Sequence, residues 1–589
     1  MADSGAITED RVVAAGLGPN MIQLPSPIYI VQHISPTHVV LGAGGGGRRF
    51  GMANVLVIIE TKALPVGPSK TVNPLWKYET ALDVGDEVPW CATTFLPVTA
   101  IVEVAQSSVV TPYEEKIMQY QSEKGLIGLL AVSGATMVKL IGIFQDKEKK
   151  FHMQLFCEVI LPNDEMNPDK KPLGFSTTTL TVAHDENEVF VYYLDDLIPP
   201  PQKKECVMEA SPIGKWELPS RVNDLSVSPI QIVAVNSKKS STSVSREATP
   251  SKEGSAAEKV SVKARVYTHL IVCASLQNKT VSVASLELDV KRGKKKDEPL
   301  PAPLIQQLAM DSAALRCSFK FMASSVRIVR LFGLGSVTSK SQSAVRDTLT
   351  MRALKRSGTP SKELLAKVMF VVYDAMGGQS LLQWFDLHGA LESVENSSGK
   401  AKRVLRLTSQ VHLPPSPILK DAITTISYPS PQSLSPADPT CPSLPPVLLG
   451  GTVEGTLCWI KQRYEKVMDG TSSKTQLVFQ LDKSRPSAVH REAKKHPALH
   501  REPISNLSLH FTSQTIVSAD IAQNVILSYL PNNTVLASQT KNAVAGLPFV
   551  VFPPETSMWA DLLLPQNRSI LMVAFVVVLL LAFLIKLLF

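Results

Sequence analysis

Seven times along this chain a short apolar run leads through small or polar residues into a second apolar run. Each unit reads as a β-hairpin, because runs rich in Val, Ile, Leu and Thr suit a pleated, buried surface, while Gly, Asn and Asp suit the turn between them. The units lie at 39–59, 126–141, 180–194, 270–285, 370–385, 447–460 and 515–528. One hairpin is marginal alone, so seven in series predict that they stack on one another. The expected fold is all-β: a degenerate seven-bladed WD-type β-propeller, each hairpin forming the inner half of a blade, where small residues let neighbours approach. Unrelated sandwich hairpins are the competing reading. The sixth and seventh units look most like WD repeats; the sixth carries Gly450-Gly451 and Trp459, the seventh Asp520 with His500 upstream.

The repeat is irregular because low-complexity stretches separate the hairpins. Residues 236–259 are rich in Ser, Lys and Glu and cannot bury a core, and 429–446 is proline-rich and extended. The expected organisation is an N-terminal extension at 1–20 and a propeller at 21–538. Insertions fall at about 199–262, 288–303, 336–362, 429–446 and 483–500. A juxtamembrane stalk at 539–568 and a membrane anchor at 569–589 complete it. The basic segment 483–500 holds His490, His496 and His500, whose spacing matches no metal motif, so it reads as a solvated loop.

The anchor reading rests on residues 570–585, sixteen in a row without a charge. A helix rises about 1.5 Å per residue and a bilayer core takes about 20 mostly apolar residues. The stretch 569–589 meets that length, with Lys586 placed to snorkel to the far headgroups. No secretory signal pattern opens the chain, so the bulk is expected on the cytosolic side, with Arg568 flanking the span there. Seven cysteines, odd in number and without a CxxC pair, agree with a reducing compartment and argue against a disulfide framework. The net charge of +8 sits partly in lysine and arginine runs, read as solvated loops or contacts to anionic lipid. No aromatic residues interleave with these runs, so nucleic acid is not an expected partner.

The first hairpin differs from the rest. Gly44, Gly45, Gly46 and Gly47 follow its first strand, then Arg48, Arg49, Phe50, Gly51, Met52, Ala53 and Asn54 lead to the second. Residues 42–47 formally fit GxGxxG, but that fingerprint needs a helix next, to hold a pyrophosphate at its N-terminus, and a strand pattern follows here. A glycine loop between strands has other uses: its carbonyls can turn inward around a hard cation, or it can project into a partner, or it is simply a flexible tip. No nucleophile elbow, metal-ligand cluster or spaced carboxylate pair points to an enzyme in the ordinary sense. The His184-Asp185 pair falls in a repeat hairpin and reads as structural.

The segment Leu24-Pro-Ser-Pro27-Ile-Tyr29, a strand, then GAGGGG and Gly51-Met-Ala-Asn54-Val-Leu resembles the N-terminus of the endoplasmic-reticulum exchange factors for the Sar GTPase, the prolactin regulatory element-binding protein family. Motif-level similarity covers residues 25–59; the repeats and the anchor extend it in outline to the whole chain. The resemblance implies a guanine-nucleotide exchange factor without covalent chemistry, acting on a Sar-type small GTPase. The setting it implies is the endoplasmic-reticulum membrane, where vesicle-coat assembly and transport to the Golgi begin. It assigns Gly44, Gly45, Gly46 and Gly47 to a backbone cage for a potassium ion and Gly51 to a second turn. Met52 becomes a hydrophobic wedge against the GTPase switch regions, and Asn54 closes the loop on the backbone. Members of the family carry a longer stretch where this chain has only Arg48, Arg49 and Phe50 between the glycine run and Gly51. Arg48 and Arg49 are expected to supply fixed positive charge in place of the ion or to contact acidic residues of the GTPase, with Phe50 beside them in the exchange loop. Expected partners are that GTPase, membrane lipids and vesicle-coat components; no cofactor is required, and potassium is the one ion the resemblance suggests. The alternative function is a non-catalytic, tail-anchored propeller that scaffolds or tethers.

Overall fold

All seven hairpins form, and each supplies two adjacent strands of a separate antiparallel sheet. The computed structural model describes residues 14–18, 21–24, 26–45, 54–61, 76–105, 112–161, 172–184, 187–202, 210–227, 231–236, 264–277, 280–288, 306–309, 324–333, 363–374, 378–395, 401–411, 416–419, 421–427, 447–469, 472–481, 500, 502–510 and 515–529. The seven sheets, of four or five strands, are the blades of a β-propeller.

In blade 1 the order is Ile28–His33, His38–Ala43, Val55–Thr61 and Trp76–Asp83. The other blades repeat this serial order with local additions. The hairpins are therefore the middle pair of strands, not the inner half expected from their small residues. The innermost position belongs to the strand before each hairpin: Ile28–His33, Leu173–Phe175, Val222–Val227, Ser324–Gly333, Ile423–Ser427 and Ile504–His510 in blades 1 and 3 to 7. These strands touch from blade to blade around the axis. Small and hydroxylated residues make the crossings by side chain rather than by ladder. Thr424 Oγ1 donates to Ile504 O at 2.6 Å, Ser427 Oγ accepts from Leu509 N at 3.0 Å, and Ser226 Oγ accepts from Leu331 N at 3.0 Å.

The ring closes by pairing the two ends of the described chain. Met21–Gln23 runs antiparallel to Asn524–Tyr529, with Met21 opposite Ile526 and Gln23 opposite Asn524. Ala14–Gly18 adds outside it, so a strand lies within the stretch 1–20 expected to be an extension. The stretch 199–262 is likewise not a pure insertion. Gly214–Glu217 is the outer strand of blade 3, and Val222–Val227 with Gln231–Asn236 pairs along one strand of blade 4. The expected insertions 336–362 and 429–446, the stalk and the anchor 569–589 lie outside the described residues. Among the described residues no helix is long and apolar enough to cross a membrane.

Two helices, Val98–Ala105 and Pro112–Lys124, interrupt blade 2 between its short strands Cys91–Ala92 and Leu96–Pro97 and the long strand Leu126–Ser133. Their Ile101, Tyr113, Ile117 and Tyr120 join one core with Phe144 and Phe156 of blade 2 and Leu173 of blade 3. Lys116 Nζ donates to the carbonyls of Asp195 and Ile198, both at 2.8 Å, which seats the second helix over blade 3.

Candidate functional site

Among the described residues, the connection between the two middle strands sets blade 1 apart from its siblings. In blades 2 to 7 it spans three or four residues, from 134–136 in blade 2 to 521–523 in blade 7. In blade 1 it runs from Gly44 to Asn54, eleven residues. Because every blade is wound in the same sense, this long loop emerges on the face that carries the six short turns. Its flanking strands keep full register up to Ala43 opposite Val55, so the extra length is confined to the loop.

Both ends of the loop are fixed. Gly44 N donates to Pro27 O at 3.1 Å. A Cβ at Gly44 would overlap Asn54 Oδ1 and sit 2.9 Å from Pro89 Cδ, so glycine is needed here for close approach and not for a positive φ. Asn54 is fully buried; its Nδ2 donates to Gly85 O at 2.9 Å and its carbonyl accepts from Val84 N at 2.9 Å. Turning the amide over would set its oxygen against the Gly85 carbonyl, so the orientation is fixed by chemistry. Asn54 Oδ1 is then left buried against Gly44 with no hydrogen-bond partner among the described residues.

The loop base rests on the link from blade 1 to blade 2. Gly85, at φ +83°, makes the turn, and Asp83 Oδ1 accepts from its amide at 2.8 Å. Glu87 accepts from Thr136 Oγ1, from Thr136 N at 3.0 Å and from Met137 N at 3.3 Å, closing the short turn of blade 2. The Tyr29 and Trp90 rings meet at 4.6 Å, and burial pushes the Tyr29 phenol above its ordinary pKa. Sequence reading missed Gly85, Glu87 and Lys139; the signal for the last was a lone charge inside the apolar run 137–144.

Of the residues expected to form the site, Gly44, Gly45 and Asn54 are placed, and the structure brings Gly44 and Asn54 together. Gly46, Gly47, Arg48, Arg49, Phe50, Gly51 and Met52 lie outside the described residues. The strand Val55–Thr61 follows the loop directly, which leaves no helix N-terminus there for a pyrophosphate. Among the described residues no group of three His, Cys, Asp or Glu side chains is arranged to hold a metal ion.

A second constellation looks catalytic on distances alone. Ser518 Oγ lies 2.8 Å from His500 Nε2, and His500 Nδ1 lies 2.9 Å from Asp520 Oδ2. The order serine, imidazole, carboxylate is that of a nucleophile with its base and orienting acid. Yet the three are 0 %, 2 % and 1 % exposed, in the core of blade 7, so no substrate reaches the hydroxyl. Asp520 also accepts from Ala522 N and Asn524 N at 2.9 Å, which makes it the organiser of the blade 7 turn. His500 is thus a buried structural residue and not part of a solvated basic loop. His184 is also buried, its ring edge-on to Phe190 in blade 3.

No protein-family model matches this chain, and no curated protein matches it.

Proposed function

We propose that this protein is a guanine-nucleotide exchange factor for a Sar-type small GTPase at the endoplasmic-reticulum membrane, where it initiates vesicle-coat formation and transport to the Golgi. The observation that carries the reading is the eleven-residue glycine loop, present on one blade of seven and fixed at both ends by Gly44 and Asn54. A scaffold that binds through a propeller face has no use for a single long loop with a rigid base. An exchange factor does, because it must push a fixed element against the switch regions and weaken the magnesium and phosphate contacts that retain GDP.

In this reading Met52 is the wedge, Arg48 and Arg49 meet acidic groups of the GTPase, and Phe50 adds apolar contact. The partnerless Asn54 Oδ1 at the loop base fits a hard cation such as potassium, which prefers neutral oxygen ligands. Gly44 to Gly47 would add main-chain carbonyls, and a bound ion would stiffen the loop. The chain supplies no covalent step: it lowers one barrier in both directions, and excess GTP sets the outcome. An anchor at 569–589 would hold the propeller at the surface where the loaded GTPase enters lipid.

The test mixes the full chain in detergent with a Sar-type GTPase loaded with fluorescent GDP, in potassium buffer. Accelerated release that Met52→Ala abolishes is the expected result. Release at the spontaneous rate, with the GTPase still bound, points to the scaffold instead.

A further inference from the structure

One charged group at the loop base comes from blade 2. Lys139, on the strand Met137–Gln145 of blade 2, is 9 % exposed and lies within a run of buried apolar residues. Its Nζ donates across the seam to Val84 O at 2.7 Å and pairs with Glu158 Oε1, on the neighbouring strand, also at 2.7 Å. A Cβ at Gly85 would stand 3.5 Å from that Nζ, so the ammonium packs against the backbone of the turn. The same two turn residues hold the loop: Val84 N donates to Asn54 O, and Gly85 O accepts from Asn54 Nδ2.

We propose that Lys139, oriented by Glu158, is a positioning residue that clamps the base of the blade 1 glycine loop to blade 2 and so sets how the loop meets its GTPase. The proposal rests on the exchange reading given above for what the loop does, but not for the clamp itself. A buried ion pair adds little net stability over apolar side chains of similar volume, and its value lies in fixing one arrangement. A methionine at 139 would fill this seam; only a donor fixes the Val84 carbonyl, and through it the Asn54 end of the loop. Glu87 secures the same link from its other side by capping the blade 2 turn at Thr136 and Met137. The loop ends are thereby tied to two blades, although all its residues belong to one.

The experiment compares wild type, Lys139→Met, Lys139→Arg and Glu158→Gln, each as the full chain in detergent. The first readout is backbone hydrogen exchange in peptides covering 44–54 and 83–89, with 515–520 in blade 7 as the internal reference. Loss of the hydrogen bond to Val84 O is expected to speed exchange at the loop base about tenfold in Lys139→Met. Lys139→Arg, which keeps the donor, restores protection, and 515–520 is unchanged throughout. The second readout is GDP release at saturating GTPase, expected to fall about tenfold in Lys139→Met while the GTPase concentration for half-maximal effect stays the same. Should Lys139→Met fail to fold, Glu158→Gln decides, since it keeps the volume and loosens only the orientation of Lys139. Unchanged hydrogen exchange at the loop base in both variants, or wild-type release by a folded Lys139→Met, overturns the proposal. If wild type itself fails to speed release, the exchange reading falls, and the clamp is judged on hydrogen exchange alone.

Discussion

His33 Nδ1 lies 2.8 Å from Ser508 Oγ, joining the innermost strands of blades 1 and 7 across 475 residues of sequence. The main-chain N–H of His33 also donates to Ser508 Oγ, at 3.1 Å, and Nε2 meets Thr515 Oγ1 at 3.1 Å. A neutral imidazole, with one N–H and one lone pair, satisfies both side-chain contacts; an imidazolium would need two acceptors. This buried ring sits at the seam where the propeller closes, beside Ser505 and Asn506, which donate to the carbonyls of Ile28 and Tyr29.

Acid should open that seam first. Burial, and secondarily the nearby His510, lowers the His33 pKa from 6.5 to about 3. The unfolded chain takes up a proton below pH 6.5 while the folded chain does not, so stability is present above 6.5 and is lost as pH falls toward 3. The slope from this group approaches about 1.4 kcal/mol per pH unit inside that window. Urea midpoints measured from pH 7.5 to 4 should fall accordingly. His33→Gln, less stable at neutral pH, should show a shallower fall; an equal slope in both proteins would remove His33 as the cause.

The buried trio in blade 7 makes a different prediction. Asp520 accepts from four donors: His500 Nδ1, Ala522 N, Asn524 N and Asn524 Nδ2. Asp520→Ala strands all of them and should cost about 3 kcal/mol or more, read as a lower midpoint in chemical denaturation. A fluorophosphonate probe should leave Ser518 unlabelled in the folded protein. Labelling at Ser518 would show that the site opens and that a hydrolase reading must be reconsidered.

Thiol reactivity should sort by burial. Burial pushes the Cys458 thiol up to about 12 and the Cys273 thiol well above its ordinary 9, and Cys157 is buried too. Little thiolate exists at Cys273 and Cys458 at pH 8, and the reagent has no path to any of the three. Peptide mapping after brief alkylation should find Cys91, which is half-buried, modified before those three. Modification of Cys273 or Cys458 at the rate of a denatured control would contradict the packing of blades 4 and 6.

The middle strands were legible in sequence because both of their faces are buried, which leaves near-continuous apolar runs such as 126–132 and 515–519. The innermost strands were not. Ile423–Ser427 carries three hydroxylated residues in five, because it bonds to its neighbours through side chains, and so it reads as a loop. Gly214–Glu217 alternates buried and exposed residues over only four positions, too short a period to separate from the low-complexity sequence around it. The helix Pro112–Lys124 had its markers, with proline at the first position, Glu114 and Glu115 in the first turn and Lys124 in the last, but its exposed face outweighed its apolar one. At the site, Gly44 and Asn54 were marked by their residue types. Gly85, the partner of Asn54, was not, because a carbonyl acceptor leaves no pattern at a distance of 31 residues. Lys139, which reaches the loop base through Val84, left only a lone charge in an apolar run.

The loop itself yields the sharpest prediction. Replacing residues 44–54 by a four-residue turn like those of blades 3 to 6 should leave the fold intact, since Ala43 already pairs with Val55 and the core strands stay in place. Thermal unfolding should move by only a few degrees, because the flanking strands keep their pairing and the lost bonds to Val84 and Gly85 lie at one edge of blade 1. Exchange activity has no such reserve. If the loop delivers the wedge, the shortened protein should release GDP from a Sar-type GTPase at the spontaneous rate, and Gly44→Ala should approach the same value by displacing Asn54. Gly455→Ala in blade 6, where glycine is also required by φ +74°, should instead cost stability and spare exchange. That contrast separates a loop that works on a partner from a loop that merely holds a blade, and equal exchange by wild type and the shortened protein would sink the wedge.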